Sequence, residues 1–419
     1  MPVNKTNERT SVVVDHFFRQ EYGRVLAYLV RKFGSDQMEM VEDAVQEALF
    51  KAMQTWPFSG IPQNPSGWIT RSAHNKIIDD LRRAQRFDQK AKVLLAENER
   101  DELPGEVHLQ NELKDDLLRM MFACCRPEIS EEYQIILTLK ILCGLSNQEI
   151  ATALFKNVDA VAKAYLRSKE KLKETGFISQ VPTGHELNER LENLLRIIYL
   201  LFNEGYKASH GDLLVRKDLC FEAIRLTSQI LDHPMLPNHH ANSLMALMHF
   251  QASRFDSRMD TDGKLLTLRE QNRNTWDKNL IALGVKYLDR ATEDSVVTEY
   301  YLQASIAGVH CLSVDYQSTD WKTILRLYNL LQKINSSKVI ALNRIVALSR
   351  AESPSFALTE LEKLRDEKLE AYYLYHAIKG DIFLQLGEKK MAREAYQMAA
   401  TLADNRLEKL YLDEMAQNV

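Results

Sequence analysis

The chain has 419 residues, 45% of them apolar and 27% charged, with a net charge of −4 and a mean hydropathy of −0.32. That length suits two or three domains with a sizeable core, the polarity excludes a polytopic membrane protein, and the charge excludes a uniformly basic nucleic-acid coat. Fifteen glycines and ten prolines, about half of ordinary usage, argue against sandwiches and barrels and predict an all-α fold.

No stretch approaches the roughly 18 apolar residues of a spanning helix, so no membrane association is expected. The opening MPVNKTNERTSVVVDHF lacks the apolar core and cleavage site of a secretory signal. Five cysteines (Cys124, Cys125, Cys143, Cys220, Cys311) form no CxxC pair, which predicts buried, reduced thiols in a cytoplasmic protein.

In chain order, residues 11–94 read as helices broken once, from Trp56 to Pro65, where three prolines and a glycine forbid continuous helix. Within them Met40–Met53 is amphipathic. Val41, Ala44, Val45, Ala48 and Leu49 face inward, while Asp43, Gln46 and Glu47 form an acidic outer face suited to a protein partner. Across Gly67–Arg86, Ile69, Ala73, Ile77, Leu81 and Ala84 share one face. Arg71, Asn75, Arg82, Arg83 and Arg86 share the other, with Asp79 among them, as suits a helix lying on phosphates. Trp56, Phe58 and Trp68 flank it, where aromatic rings stack on unpaired bases.

Residues 96–116 carry a run of acidic side chains around Pro104-Gly105 and predict a mobile connector. Ser146-x-x-Glu149 is a capping box opening a short helix, and a second helix follows from about Asp159. On that second helix Val161, Tyr165, Ser168 and Leu172 face inward. Lys163, Arg167 and Lys171 form an outer stripe beside Ala160 and Ala164, the pattern of a helix-turn-helix docking in a major groove. From 186 to 415 the chain is again helix-rich. Gly380, Phe383, Gly387, Ala392, Tyr396 and Ala399 have the small/large spacing of a tetratricopeptide-like repeat, and Ala357 and Leu361 mark a degenerate earlier copy. The string Tyr199–Tyr206 predicts a helix end capped by Gly205.

Taken together, the ordered segments resemble a bacterial RNA polymerase sigma factor of the extracytoplasmic-function group. VEDAVQEALFKAM resembles region 2.2, PSGWITRSAHNKIIDDLRRAQR resembles regions 2.3–2.4, and EEYQIILTLKILCGLSNQEIATALFKNVDAVAKAYLRSKEKL resembles region 4. LLRIIYLLFNEGYKAS and later strings resemble a long C-terminal tetratricopeptide-like extension of one subgroup. The resemblance implies region 2 over 11–95, an acidic linker over 96–116, region 4 over 117–176 and a helical repeat domain over 186–415. It implies polymerase contacts at Asp43, Gln46 and Glu47, and −10 contacts at Trp68, Arg71, Asn75, Arg82, Arg83 and Arg86. It implies −35 contacts at Lys163, Arg167, Lys169 and Lys171. The partners implied are core RNA polymerase (β′ clamp and β flap), promoter DNA, and a protein partner for the repeats. No metal, cofactor or catalytic residue is implied.

One departure stands out. Many group members have Thr-Val at the start of the recognition helix and a basic residue four positions after that Thr, whereas this chain has Ala160-Val161 and Ala164, which points to a different promoter sequence. A free-standing helix-turn-helix regulator with a helical sensor domain is the alternative; it needs no acidic Met40–Met53 face. No Walker A, GxGxxG, GxSxG or HExxH pattern occurs, so no enzyme is expected.

Overall fold

The computed structural model describes residues 21–84, 89–98, 106–154, 156–175, 184–206, 216–233, 236, 238–260, 264–293, 297–403 and 405–419. Among them the fold is all-α, with a single isolated bridge between Met259 and Leu265 and no strand. The chain divides into two compact bodies, Met1–Ile197 and Ile198–Val419.

In the first body α1 spans 21–33, followed by α2 (Met38–Ser59), α3 (Pro65–Ala84), α4 (Gln89–Asn98), α5 (Glu106–Cys124), α6 (Glu131–Leu137), α7 (Asn147–Ala153) and α8 (Val158–Thr175). Val41, Ala44, Val45, Ala48 and Ala52 bury one stripe of α2, and Ile69, Ala73, Ile77 and Leu81 bury the facing stripe of α3. The break between these helices is narrower than the prolines suggest. Pro57 sits in the last turn of α2, where it removes little of the ladder, and Gly60 follows with φ 81°. Pro65 then opens α3, whose Gly67 amide donates to the Asn64 side chain at 2.8 Å. A β-carbon at Gly23 would stand 2.9 Å from the Leu142 carbonyl oxygen, so α1 meets the π turn Thr138–Leu142 backbone to backbone and only glycine fits.

The second half of the expected acidic connector is packed helix instead. Leu109, Leu113 and Leu117, four residues apart, are buried along α5. Asp116 is fully buried and accepts from Arg31 Nε at 2.7 Å and from Arg119 Nη1 at 2.6 Å, while Arg31 Nη2 reaches Glu112 at 2.9 Å. Burial pushes the Asp116 carboxyl up, and the two arginines oppose that shift. The apolar spacing within the acidic run thus fixes α5 as a core helix; residues 99–105 lie outside the described residues.

The second body comprises the end of α9 (Gly184–Tyr206) and α10 (Lys217–Leu231), α11 (His239–Ala252), α12 (Lys278–Ala291), α13 (Glu299–Leu312), α14 (Trp321–Ile334) and α15 (Lys338–Ala351). It ends with α16 (Pro354–Lys363), α17 (Glu367–Glu370), α18 (Tyr373–Gln385), α19 (Lys389–Leu402) and α20 (Arg406–Asn418). Side chains of Asp277, Thr298, Asp320, Ser337, Ser353 and Asn405 each accept from a first-turn amide, which fixes where these helices start. In the α18–α19 hairpin the Tyr396 ring lies over Gly380, and Ala392 and Ala399 are fully buried. Gly205 is no C-cap. It lies inside α9, and a β-carbon there would meet the Arg216 carbonyl and Cys220 Sγ, each at 2.8 Å, so close approach and not helix termination selects glycine. The body boundary also falls later than residue 186. Asn193 donates to Gln134 at 3.1 Å and Arg196 Nη1 to Glu131 at 2.5 Å, tying the first part of α9 to the first body.

All five cysteines are buried, and none forms a disulfide. His310 is buried too, and its imidazole is pushed down to about 3, first by burial and then by Arg254 and Arg273. The unfolded chain takes up this proton near the ordinary imidazole value of 6.5 and the folded chain does not. Stability is therefore complete above that value and falls as the pH drops from 6.5 towards 3. Denaturant unfolding of the second body is expected to lose about 2 kcal/mol between pH 6.5 and 5, and His310→Gln to flatten that slope. An unchanged slope in the variant would show that another group carries the acid sensitivity.

Candidate polymerase and nucleic-acid interfaces

Because α2 buries its apolar stripe, the opposite face is left to solvent, and Asp43, Gln46 and Glu47 are all exposed on it. Glu47 reaches across to Lys76 of α3 at 2.9 Å, and Lys76 also approaches Asp80 at 3.5 Å. The hydrogen bond to Glu47 raises the Lys76 ammonium above its usual range. At this exposure the pair contributes little to stability and serves instead to orient Glu47. Beside this face opens a groove of about 510 Å³ lined by Gln46, Phe50, Met53, Lys140, Leu145 and Glu149, among others. Phe50 and Met53 are 60% and 51% exposed. Phe50 lies on the face opposite the inward stripe and Met53 well to its side, so their signal in sequence is large apolar side chains on the polar face.

On α3, Arg71, Asn75, Arg82 and Arg83 are exposed. Asp79 lies 3.4 Å from Arg82 and Asp80 lies 3.8 Å from Arg83, so two of the three arginines are partly compensated. Arg86 lies outside the described residues. The three aromatics separate. Trp56 is buried and meets half-buried Trp68 edge-on, with ring centroids 5.5 Å apart, whereas Phe58 is 93% exposed. Trp56 is therefore a core residue, and Trp68 and Phe58 carry the accessible ring surface.

The helix-turn-helix forms as the capping box requires. Ser146 Oγ accepts from the Glu149 amide at 3.2 Å, and the Ser146 amide donates to Glu149 Oε2 at 2.8 Å. On α8, Val161, Tyr165, Ser168 and Leu172 are buried, while Lys163 and Arg167 are exposed. Lys171 is half-buried and pairs with Glu174 at 2.9 Å.

Lys169 departs from its expected role. It is only 5% exposed, and its ammonium donates to Glu42 Oε2 of α2 at 3.0 Å, with Glu39 at 3.5 Å. The Tyr165 hydroxyl donates to the other oxygen of Glu42, and the Lys169 ammonium lies 5.2 Å from the Tyr165 ring centre. Burial, reinforced by Glu42, pushes the Tyr165 hydroxyl well up. The −35 role of Lys169 rests on the resemblance and not on the outer stripe of Lys163, Arg167 and Lys171; it follows inward-facing Tyr165 by one turn, and its partner lies 127 residues upstream. Here its charge is consumed by an internal pair and does not face phosphates. No group of three His, Cys, Asp or Glu side chains among the described residues is arranged to hold a metal ion.

Residues 18–87 match the model of Sigma-70 region 2. Residues 190–292 match a family of unknown function (DUF6596). Across 395 residues the chain is 34% identical to an uncharacterised protein of Rhizobium meliloti (strain 1021), covering 93% of this chain and 92% of that one, and it belongs to the same family. No solved structure matches. No described helix is long and apolar enough to cross a membrane.

The buried Glu42–Lys169 pair gives a direct test. Removing one partner of a buried pair leaves an uncompensated charge, so Glu42→Gln and Lys169→Met should each destabilise the first body by about 2 kcal/mol or more. The double variant should recover about 1–2 kcal/mol of the summed loss. Hydrogen exchange of the α2 and α8 amides reads both quantities. Strictly additive losses would mean the two side chains are not energetically coupled.

Proposed function

We propose that this chain is a dissociable promoter-specificity subunit of bacterial RNA polymerase, of the extracytoplasmic-function type, acting in the cytoplasm and without catalysis of its own. The observation that carries the reading is the coexistence in one body of sigma-70 region 2, whose α2 exposes an acidic face, with a capped helix-turn-helix bearing basic side chains. Asp43, Gln46 and Glu47 are the contacts to the β′ clamp. Trp68, Arg71, Asn75, Arg82 and Arg83 approach the −10 element, where guanidinium groups meet phosphates and rings take up unstacked bases. Lys163, Arg167 and Lys171 approach the −35 duplex, and the small side chains of Ala160 and Ala164 leave room for the backbone to near the groove. Bulk charge near zero fits a protein that meets DNA only as part of a larger complex.

This reading has a geometric consequence. Elements at −10 and −35 lie about 25 base pairs apart, about 85 Å of B-form duplex. In the described form α8 is locked to α2 by Glu42, Tyr165 and Lys169. Engagement of both elements therefore requires that contact to open when core polymerase takes up α2 on one side and α7–α8 on its β flap. The second body, whose hairpins resemble tetratricopeptide repeats, is the regulatory or partner-binding part.

Transcription from a promoter library with core polymerase and the full chain tests the function. Starts sharing a −10/−35 pattern are expected, falling at least tenfold in Asp43→Ala/Gln46→Ala. Arg167→Ala should lower the salt dependence of promoter binding by about one counterion. Promoter binding in the absence of polymerase, with no effect of the Asp43/Gln46 change, would instead establish the free-standing regulator.

A further inference from the structure

The second body holds a cavity of about 400 Å³ between α9, α11, α13, α14 and α15, a size typical of small-ligand sites. Its two ends differ in charge. At one end Glu299 Oε1 accepts from Gln303 Nε2 at 2.9 Å and from Asn335 Nδ2 at 3.0 Å. Gln303 is held in turn by the Tyr199 hydroxyl, which donates to its Oε1 at 2.8 Å. This carboxylate is fixed in place by neutral amides, and no basic side chain among the described residues pairs with it.

The other end is cationic. Arg254 lies over the Tyr206 and Trp276 rings at 5.9 and 5.7 Å and donates to the Tyr206 hydroxyl at 2.5 Å. No carboxylate among the described residues pairs with it, and Arg273 lies near enough to add positive potential at His310. His310, 9% exposed, lines this end, and its Nδ1 is buried with no hydrogen-bond partner. Gln251 Oε1 is likewise buried and without a partner. Unsatisfied buried polar atoms are costly, so two of them on one cavity wall mark a place where a ligand supplies the missing groups.

Glu299, Gln303 and His310 share one face of α13, and the eleven helical steps from Glu299 to His310 span about 16 Å. An extended chain advances about 3.5 Å per residue. We propose that this cavity binds a short extended peptide with free termini, three or four residues long, its ammonium on Glu299 and its carboxylate on Arg254. The amide groups of such a peptide supply donors to Gln251 Oε1 and a partner to His310 Nδ1. Leu247, Ile306, Leu331 and Tyr328 provide apolar walls for its side chains.

The test uses the full chain and needs no polymerase, so its outcome is separate from that of the sigma-factor reading. Pools of free tri- and tetrapeptides are screened by thermal shift and the best sequence is titrated by calorimetry, alongside its N-acetylated and C-amidated forms. Each cap is expected to weaken binding at least tenfold. In Glu299→Gln, which keeps the hydrogen-bond frame, the penalty for N-acetylation should vanish while that for amidation remains. In Arg254→Met the reverse should hold, with Arg254→Lys as the milder variant should the first fail to fold. Absence of binding by every free peptide, or cap penalties unchanged by both substitutions, would overturn the proposal.

Discussion

The first body depends on one buried charge. Glu42 points inward from α2, the helix whose outer face is the polymerase candidate, and accepts from Tyr165 and Lys169 of α8. Left alone, a carboxylate so buried would be strongly destabilising; paired and hydrogen-bonded on both oxygens, it fixes the register between two helices more than 100 residues apart. The same contact decides which side chains remain for function. It buries Lys169 and leaves Lys163 and Arg167 exposed, while Asp43, Gln46 and Glu47 stay exposed on α2. A pair of this kind is well suited to a reversible joint, because its desolvation cost nearly offsets its attraction and a competing partner need supply only a modest free energy to open it.

Much of this was legible in the sequence because it depends on near neighbours. The apolar periodicity of α2 and α3, the Ser146–Glu149 box and the inward face of α8 involve residues three or four apart, and all appear in the structure. What the sequence could not show depends on distant partners. Arg31 turns the acidic stretch at Glu112–Asp116 into a core seam, Glu42 withdraws Lys169, and Cys220 explains Gly205. Charge runs look alike whether solvated or packed, and only the apolar residues at 109, 113 and 117 hinted otherwise. The helices that carry the candidate residues form where the periodicity puts them, and the sequence reading differs from the structure at side chains paired across the fold.

The second body follows another logic. Many of its helices begin at side-chain caps, and most pack on near neighbours in the chain, so its framework is largely local and its cavity is not. Glu299 and His310 lie towards the two ends of α13 and Arg254 just beyond α11, and none belongs to a recognisable motif. Family membership shared with the Rhizobium meliloti protein over nearly the whole chain joins both bodies in one inherited unit. That favours a working relation between the sigma-70 part and the cavity-bearing part over a chance fusion.

The account turns on the α2–α8 contact existing in the free chain and being released at a promoter. Spin labels at Lys51→Cys and Glu170→Cys, both exposed positions, report that separation directly. A single short distance is predicted for the free chain, lengthening to the order of tens of ångströms when core polymerase and promoter DNA are added. An unchanged short distance in a complex that transcribes would contradict the account, because both promoter elements would then be served without the joint opening.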